Sequence, residues 1–328
     1  MIQLERSGVT TSDGVRLNVE ITGPADAPVT VLLVHGWTCS TRAWHHQVEG
    51  LPRILGTDAV RVVTYDHRGH GHSDAAPAGT MQIGQLADDL VTVLDEVVGP
   101  RPVVYAGHSM GGMTLMALAE SRPDLFGSRI RAAALISTSS GLISAGVGIR
   151  GRFETRAAAL APHAMNLVGA RIDRRASRRA AASPDAQSGW RDAPRLAAAT
   201  RRAAAARAFN VRRPALRRAV FGKKVDPAEV DLFLADLARL PGPSYGGFFE
   251  AILRHDQGHA LKVLDQIPVE IMHGTRDRLL PPRHANRIAA ELPNARLWMY
   301  PGAGHMLMQE RPRDVTHRLA SLARKARA

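Results

Sequence analysis

The sequence predicts an α/β fold in which helices cover both faces of a mostly parallel sheet. Short β-branched apolar runs alternate with longer stretches whose apolar residues recur at helical spacing, which is typical of successive strand–helix–strand units. The strand-like runs are almost continuously apolar, as expected for strands buried on both faces. With 328 residues, of which 45% are hydrophobic and 22% charged, the chain has the composition of an ordinary globular protein with a substantial core.

The predicted elements begin with an antiparallel hairpin. Residues 4–9 and 15–21 are strand-like, and the turn sequence Thr-Ser-Asp-Gly separates them. Four buried strands and two helices come next. The strands are predicted over residues 29–34, 60–65, 103–106 and 132–137, and the helices over residues 81–98 and 110–122.

From residue 141 to 258 the composition changes, and the sequence predicts a helical insert. Arg and Ala dominate this segment, it lacks strand-like runs, and proline interrupts it at Pro162, Pro184, Pro194 and Pro214. Strand–helix alternation then resumes, with strands at residues 269–273 and 296–300, a helix at 283–292 and a final helix ending near residue 324. We therefore expect a single core of residues 1–140 and 259–328, with residues 141–258 inserted in it as a lid.

The strongest chemical signal is the segment Gly107-His-Ser109-Met-Gly111, which lies directly between a predicted strand and a predicted helix. A Gly-x-Ser-x-Gly sequence in this position is typical of a nucleophile elbow, a sharp turn that exposes the serine hydroxyl. The glycines allow neighbouring backbone to approach the turn closely. We interpret Ser109 as a candidate nucleophile.

A serine nucleophile needs a base, and the base needs a carboxylate that orients it. Asp277 follows the strand at 269–273, and His305 lies in a Gly-rich loop beyond the last strand. Loops at the carboxyl ends of parallel strands converge on one edge of a sheet, so these residues and Ser109 can meet. Two other carboxylates, Asp256 and Asp265, remain alternatives for the acid, although they fit the strand ends less well.

An acyl-transfer site also needs hydrogen-bond donors for the oxyanion of its tetrahedral intermediate. One donor is expected to be the backbone amide of Met110, the residue after the nucleophile. The second is expected from the loop after the strand at 29–34, where Trp37 follows His35 and Gly36. We predict that the amides of Trp37 and Met110 form the oxyanion hole.

Taken together, the ordered motifs resemble the α/β-hydrolase superfamily, in its serine-esterase and lipase-like branch. The resemblance covers nearly the whole chain except the insert, and its motifs are His35-Gly36-Trp37, residues 66–73 (Asp-His-Arg-Gly-His-Gly-His-Ser), residues 107–112, residues 273–277 and Gly304-His305. It implies an eight-stranded sheet, a helical lid between strands six and seven, and a Ser109, Asp277, His305 triad. Epoxide hydrolases and haloalkane dehalogenases of this fold carry aspartate at the elbow, and hormone-sensitive-type lipases carry His-Gly-Gly-Gly, so neither group matches this sequence.

No metal or organic cofactor is expected for this chemistry. Crowded potential ligands at Asp66, His67, His70 and His72 match a structural turn of the family, His45 and His46 are expected at the surface, and Cys39 is given no catalytic role. The acyl pocket is expected to be apolar. Its predicted lining is Trp37, Met110, Phe248, Phe249, Ile252 and Leu253.

The net charge of +13 arises in the insert. Residues 150–224 carry seventeen Arg and two Lys against four acidic residues, which gives +15 there and −2 for the rest of the chain. Three explanations stay open: a solvated helical face, recruitment of an anionic substrate such as an acyl thioester on an acidic carrier protein, or contact with an anionic membrane surface. Nucleic acid is not expected as a partner, because no aromatic residues interleave the arginines.

The sequence therefore predicts an enzyme that cleaves a carboxylic ester or thioester. A tailoring enzyme that uses the same serine for acyl transfer or cyclisation is the alternative, and a ligand-binding receptor with a vestigial triad is a weaker one. A single cysteine, no signal-peptide pattern at the N-terminus and no apolar run of membrane-spanning length predict a cytoplasmic location. The oligomeric state stays open.

Overall fold

The computed structural model describes residues 4–143 and 213–327. An eight-stranded sheet runs through them in the order β1-β2-β4-β3-β5-β6-β7-β8. Strand β2 pairs antiparallel with both β1 and β4, and every other neighbouring pair is parallel. The strands are β1 Leu4–Thr10, β2 Arg16–Thr22, β3 Thr30–Val34, β4 Arg61–Tyr65, β5 Val103–His108, β6 Ile130–Ile136, β7 Val269–Gly274 and β8 Arg296–Tyr300.

The helices named for the described residues lie between these strands, within the insert and after β8. They are α1 His45–Leu55, α2 Ile83–Val93, α3 Met110–Ser121, α4 Pro227–Leu237, α5 Gly242–Arg254, α6 Leu261–Leu264, α7 Arg283–Glu291, α8 Leu307–Glu310 and α9 Pro312–Ala326. The predicted hairpin and parallel strands are confirmed, with ends that differ by a few residues. The predicted helix at 81–98 is divided, because α2 changes to a π-helical turn over Leu94–Val98 before Gly99, whose φ is 73°.

Two hydrophobic clusters lie on opposite faces of the sheet. Leu32 of β3 faces one cluster together with α2 and α3, whereas its neighbour Leu33 faces the other together with α1 and α9. Successive side chains of a strand point to opposite faces, so a strand covered on both sides is apolar at every position. This explains why all five residues of β3 are buried. Packing on both faces fixes the positions of the central strands, and therefore the positions at which the loops after their carboxyl ends begin.

The predicted lid is described only in part. Residues 213–220, α4 and α5 are helical, as expected for the insert, and an isolated bridge joins Gly141 to Asp256 where the insert leaves and rejoins the core. Most of the Arg-rich stretch, including Pro162, Pro184 and Pro194, lies outside the described residues. The boundaries 141 and 258 therefore stay a prediction. Among the helices of residues 4–143 and 213–327, none combines the length and apolar character needed to cross a bilayer.

Candidate active site

Ser109 occupies a sharp turn between β5 and α3. Its backbone has φ 52° and ψ −114°, a conformation that residues with a side chain rarely adopt. The turn packs tightly against β3, because a Cβ added to Gly111 would collide with the carbonyl oxygen of Val34. Glycine is therefore required at position 111. The strained backbone of Ser109 is of a kind that is characteristic of functional sites. The strand–turn–helix setting predicted for Ser109 is what the structure shows.

His305 and Asp277 form a buried hydrogen-bonded pair. The Nδ1 of His305 lies 2.7 Å from Oδ2 of Asp277, and both residues are less than 10% exposed. The other carboxylate oxygen, Oδ1, accepts the backbone N–H groups of Leu279 and Leu280, each at 2.9 Å. Because a carboxylate only accepts hydrogen bonds, His305 carries its proton on Nδ1 and leaves Nε2 free to accept one. This is the orientation that a general base beside a serine requires.

The alternative acids lie in other surroundings. Asp265 accepts a hydrogen bond from the side chain of Asn294 at 3.0 Å, and Asp256 is exposed beside Gly141. Neither makes a hydrogen bond with His305 among the described residues. Of the three carboxylates considered from the sequence, the structure brings only Asp277 to the imidazole.

A mainly apolar cavity of about 230 Å³ is lined by residues of both the core and the insert. Ser109 and His305 both border it, and the insert supplies much of its wall. The side chains that line it include Trp37, Met113, Phe233, Leu237, Tyr245, Phe249, Ile252, Leu253 and Leu280. Trp37 links the core to the insert at this wall, because its ring stacks on Phe249 with the ring centroids 5.2 Å apart.

Of the residues predicted to line the acyl pocket, Trp37, Phe249, Ile252 and Leu253 line this cavity, whereas Phe248 and Met110 do not. Phe248 lies outside the cavity and packs against His70, with ring centroids 5.2 Å apart. The side chains of Phe248 and Phe249 point about 100° apart on α5, and the orientation of this helix turns Phe249 toward the cavity and Phe248 toward the core cluster. The side chain of Met110 is also absent from the lining, because it is fully buried in the core cluster.

The loop after β3 lies directly against Ser109. A Cβ added to Gly36 would lie 2.9 Å from the Cβ of Ser109, so the chain at Trp37 passes within a short distance of the serine. The next residue, Thr38, has φ 65° and turns the loop. Within residues 4–143 and 213–327, the backbone amides of Trp37 and Met110 donate to no other protein group. Two amides beside the serine are therefore available to an oxyanion.

Residues that sequence reasoning missed hold the His305 loop in place. Nε2 of His108 donates to the carbonyl oxygen of His305 at 3.0 Å, and burial lowers the pKa of His108 well below its ordinary value, so the ring stays neutral. The amide of His305 donates to the carbonyl oxygen of Val220 at 2.8 Å. The insert thus contacts the backbone of His305 directly.

Glu310 was also missed, and it ties the same loop to the insert. Its carboxylate accepts the amide of Gly304 at 2.9 Å and the amide of Gly222 at 2.8 Å. Glu310 is 7% exposed, and burial raises its pKa above the ordinary value. A Gly-His pair followed five residues later by Glu was the only available signal, and spacing alone does not assign the partner amides.

In the crowded segment at residues 66–72, Asp66 and Arg68 make structural contacts. The carboxylate of Asp66 accepts hydrogen bonds from the Asn18 side chain and from the amides of Thr41 and His72. Arg68, which is fully buried, is paired with Asp89 and Asp13. Cys39 is buried as well, and its burial raises the pKa of the thiol.

Comparison with known proteins identifies the family. Residues 29–312 match the family described as alpha/beta hydrolase fold. These residues are most of the chain. The chain belongs to the α/β-hydrolase fold family. The match includes the insert and all the residues of the site described above.

Sequence relatives in this family resemble the chain over a limited region. It is 38% identical over 104 residues to the bifunctional esterase/perhydrolase DCH of Acinetobacter calcoaceticus (32% of this chain, 35% of that protein). It is also 38% identical over 110 residues to lipase LipV of Mycobacterium tuberculosis (34% and 38%). The chain therefore spans just over a third of the length of these curated relatives.

Solved structures resemble the chain over almost its whole length. A hydrolase from Pseudomonas aeruginosa PA01 has a TM-score of 0.66 at 23% identity, covering 97% of this chain and 98% of that one. The esterase EaEST from Exiguobacterium antarcticum has a TM-score of 0.69 at 16% identity, covering 98% and 100%. At these identities the likeness shows a shared fold.

Proposed function

We propose that the protein is a serine hydrolase that cleaves a carboxylic ester or thioester through an acyl-serine intermediate. The observation that carries this proposal is the Asp277–His305 hydrogen bond of 2.7 Å at a cavity that Ser109 also borders. A strained serine, an oriented imidazole and a buried carboxylate have complementary roles in acyl transfer. The esterase and lipase names of the sequence relatives support the same class of reaction.

The protein supplies all the catalytic groups of the proposed reaction. Nε2 of His305 takes the proton of Ser109 Oγ while that oxygen attacks the substrate carbonyl, and the amides of Trp37 and Met110 stabilise the oxyanion. His305 then gives its proton to the leaving alcohol or thiol as the carbon–oxygen or carbon–sulfur bond breaks. In the second half, His305 takes a proton from water, hydroxide is added to the acyl-serine, and Ser109 leaves with that proton.

The cavity favours an apolar acyl group. Its wall is formed mainly by aliphatic and aromatic side chains, and Ser109 and His305 are among its few polar groups. An acyl chain bound there removes apolar surface from water, which contributes roughly 25 cal/mol per Å². We therefore expect medium-length acyl esters to be better substrates than acetate esters.

A fluorophosphonate probe and a substrate panel test the proposal. The wild-type protein should be labelled on Ser109, Ser109→Ala should not be labelled, and His305→Ala should be labelled much more slowly. p-Nitrophenyl esters and acyl-CoA thioesters of increasing chain length should be hydrolysed. Absence of labelling would refute the serine-hydrolase proposal, whereas labelling with no release of acid from any substrate would favour acyl transfer to another acceptor.

An anionic substrate stays a prediction from the insert's charge, which lies mostly outside the described residues. Replacing the arginines at 174, 175, 178 and 179 by glutamine should lower kcat/KM for acyl-CoA thioesters, because the attraction to their phosphates is reduced. A neutral p-nitrophenyl ester serves as the control substrate. Equal effects on both substrates would indicate a solvated surface.

A further inference from the structure

Two histidines of the core and one glutamate of the insert form a cluster away from the active-site cavity. His45 and His46 begin α1, and Glu229 lies in the first turn of α4. Oε1 of Glu229 lies 3.2 Å from Nε2 of His45 and 2.9 Å from Nε2 of His46. Each residue offers one potential ligand atom, and the three atoms lie within 4.8 Å of one another. The two histidines were expected at the surface, yet both reach this carboxylate.

A hydrogen bond to a backbone carbonyl orients one of the imidazoles. Nδ1 of His45 lies 3.0 Å from the carbonyl oxygen of Arg42, and a carbonyl can only accept, so the proton of the ring is on Nδ1. The Nε2 lone pair of a neutral His45 then faces a carboxylate oxygen. Two lone pairs at this separation repel each other unless a cation, either a proton or a metal ion, lies between them. Metal-binding histidines are commonly held by a hydrogen bond of this kind from the other ring nitrogen.

The carboxylate supplies a second, independent observation. Glu229 is 7% exposed, and its Oε2 has no hydrogen-bond partner among the described residues. A buried carboxylate oxygen without a partner is costly, and a cation bound by both oxygens of Glu229 would satisfy Oε2 as well as Oε1. The rings of His45 and His46 are about one-third exposed, so an ion can reach the cluster from solvent.

We propose that His45, His46 and Glu229 bind a divalent transition-metal ion of the zinc type. Two imidazole nitrogens and one carboxylate are a usual ligand set for Zn²⁺, with a fourth position open to water. Ligands about 2.0 to 2.1 Å from a tetrahedral ion lie about 3.3 Å apart, close to the two nitrogen–oxygen distances in this cluster. Binding displaces any proton held on Nε2 into solvent.

The position of the cluster suggests what the ion would do. Helix α4 also docks on the core through Asp236, which accepts hydrogen bonds from Ser40 at 2.7 Å and Arg42 at 3.0 Å. Phe233 and Leu237 of the same helix line the active-site cavity. A metal ion at Glu229 would therefore fasten the cavity wall to the core. This inference does not depend on the proposed hydrolase reaction.

Metal titration of the full chain tests the proposal. Protein treated with a chelator and dialysed should bind one equivalent of Zn²⁺ by calorimetry, and Co²⁺ should give the visible absorption of a low-coordinate nitrogen–oxygen site. Glu229→Gln and His45→Ala should weaken binding by at least about tenfold. Zn²⁺ should raise the Tm of the wild-type protein, because a ligand that binds only the folded state stabilises that state. It should not raise the Tm of Glu229→Gln, which lacks the carboxylate.

His259→Ala is the matched control. His259 also contacts a glutamate, Glu120, at 2.9 Å, but this exposed pair offers only two ligand groups. The control variant should bind Zn²⁺ like the wild type. Absence of stoichiometric binding, or equal affinity in the wild type and Glu229→Gln, would overturn the proposal and leave the cluster as a protonated imidazole–carboxylate network. Circular dichroism checks that each variant is folded, and the Co²⁺ spectrum of the wild type tests the site without any substitution.

Discussion

Replacing Asp277 by asparagine should remove most of the hydrolytic activity while leaving the fold intact. The two backbone amides of Leu279 and Leu280 donate to Oδ1, so an asparagine at this position keeps its carbonyl oxygen toward them. Its NH2 group then takes the place of Oδ2 and points at Nδ1 of His305, 2.7 Å away. Because two donors cannot face each other, His305 must move its proton to Nε2.

The size of the effect follows from that change of tautomer. With a proton on Nε2, His305 cannot accept the proton of Ser109 Oγ, and only the oxyanion donors and substrate binding still contribute. Loss of the correct tautomer in a serine triad lowers kcat about 10⁴-fold, which corresponds to about 5.5 kcal/mol at 1.36 kcal/mol per tenfold change. KM should change little, because Asp277 is not among the residues that line the cavity.

Steady-state hydrolysis of a p-nitrophenyl ester and the rate of fluorophosphonate labelling measure the loss. Asp265→Asn is the control, because Asp265 accepts a hydrogen bond from Asn294 and should tolerate the change with wild-type kcat. Thermal unfolding verifies that both variants are folded. An Asp277→Asn variant that kept more than about a tenth of the wild-type kcat would refute the orienting role assigned to this carboxylate.

Three further predictions concern residues other than Ser109, Asp277 and His305. Glu310→Gln should lower kcat more than it changes KM, with the KM-against-kcat comparison as the test, because its new NH2 group replaces one of the two carboxylate oxygens that accept the amide of Gly304. Arg68→Met leaves the buried carboxylate of Asp89 without its cation and should lower the free energy of unfolding by about 3 to 5 kcal/mol in urea titrations; a loss below about 1 kcal/mol would contradict this pairing. His35 is buried and its pKa is lowered to about 4, so the unfolded chain binds its proton below about pH 6.5 and the folded chain does not. The stability that neutral His35 contributes is therefore complete above about pH 6.5 and falls by up to about 1.4 kcal/mol per pH unit toward pH 4. An equal slope of the free energy of unfolding against pH in His35→Gln would contradict this prediction.

The sequence was sufficient where local geometry determines the structure. Ser109 has a positive φ, and the turn leaves room only for glycine at position 111. Residues 107–111 alone are enough to indicate such a turn. Alternating strand and helix patterns predicted the parallel sheet, and the positions of Asp277 and His305 directly after strands predicted that they converge with Ser109. The structure places Asp277 in contact with His305, which borders the same cavity as Ser109.

Side-chain directions within the insert could not be read in this way. Phe248 and Phe249 are adjacent and chemically identical, yet only Phe249 lines the cavity, because the rotation of α5 about its axis decides which ring faces inward. Apolar patterning showed that both rings are buried or partly buried, but it did not define which neighbour each one meets. The lining of the cavity was therefore only partly predicted.

The sequence by itself determined the fold class, the strained turn at Ser109 and the residues that follow the strands, because short-range sterics and the periodicity of apolar residues leave few alternatives. Tertiary structure alone decided the long-range contacts. Glu229 meets His46 across 183 residues, and Gly222 meets Glu310 across 88. No local signal marks such pairs, since they depend on how the insert packs on the core, and that packing fixes both the wall of the cavity and the position of the proposed metal site.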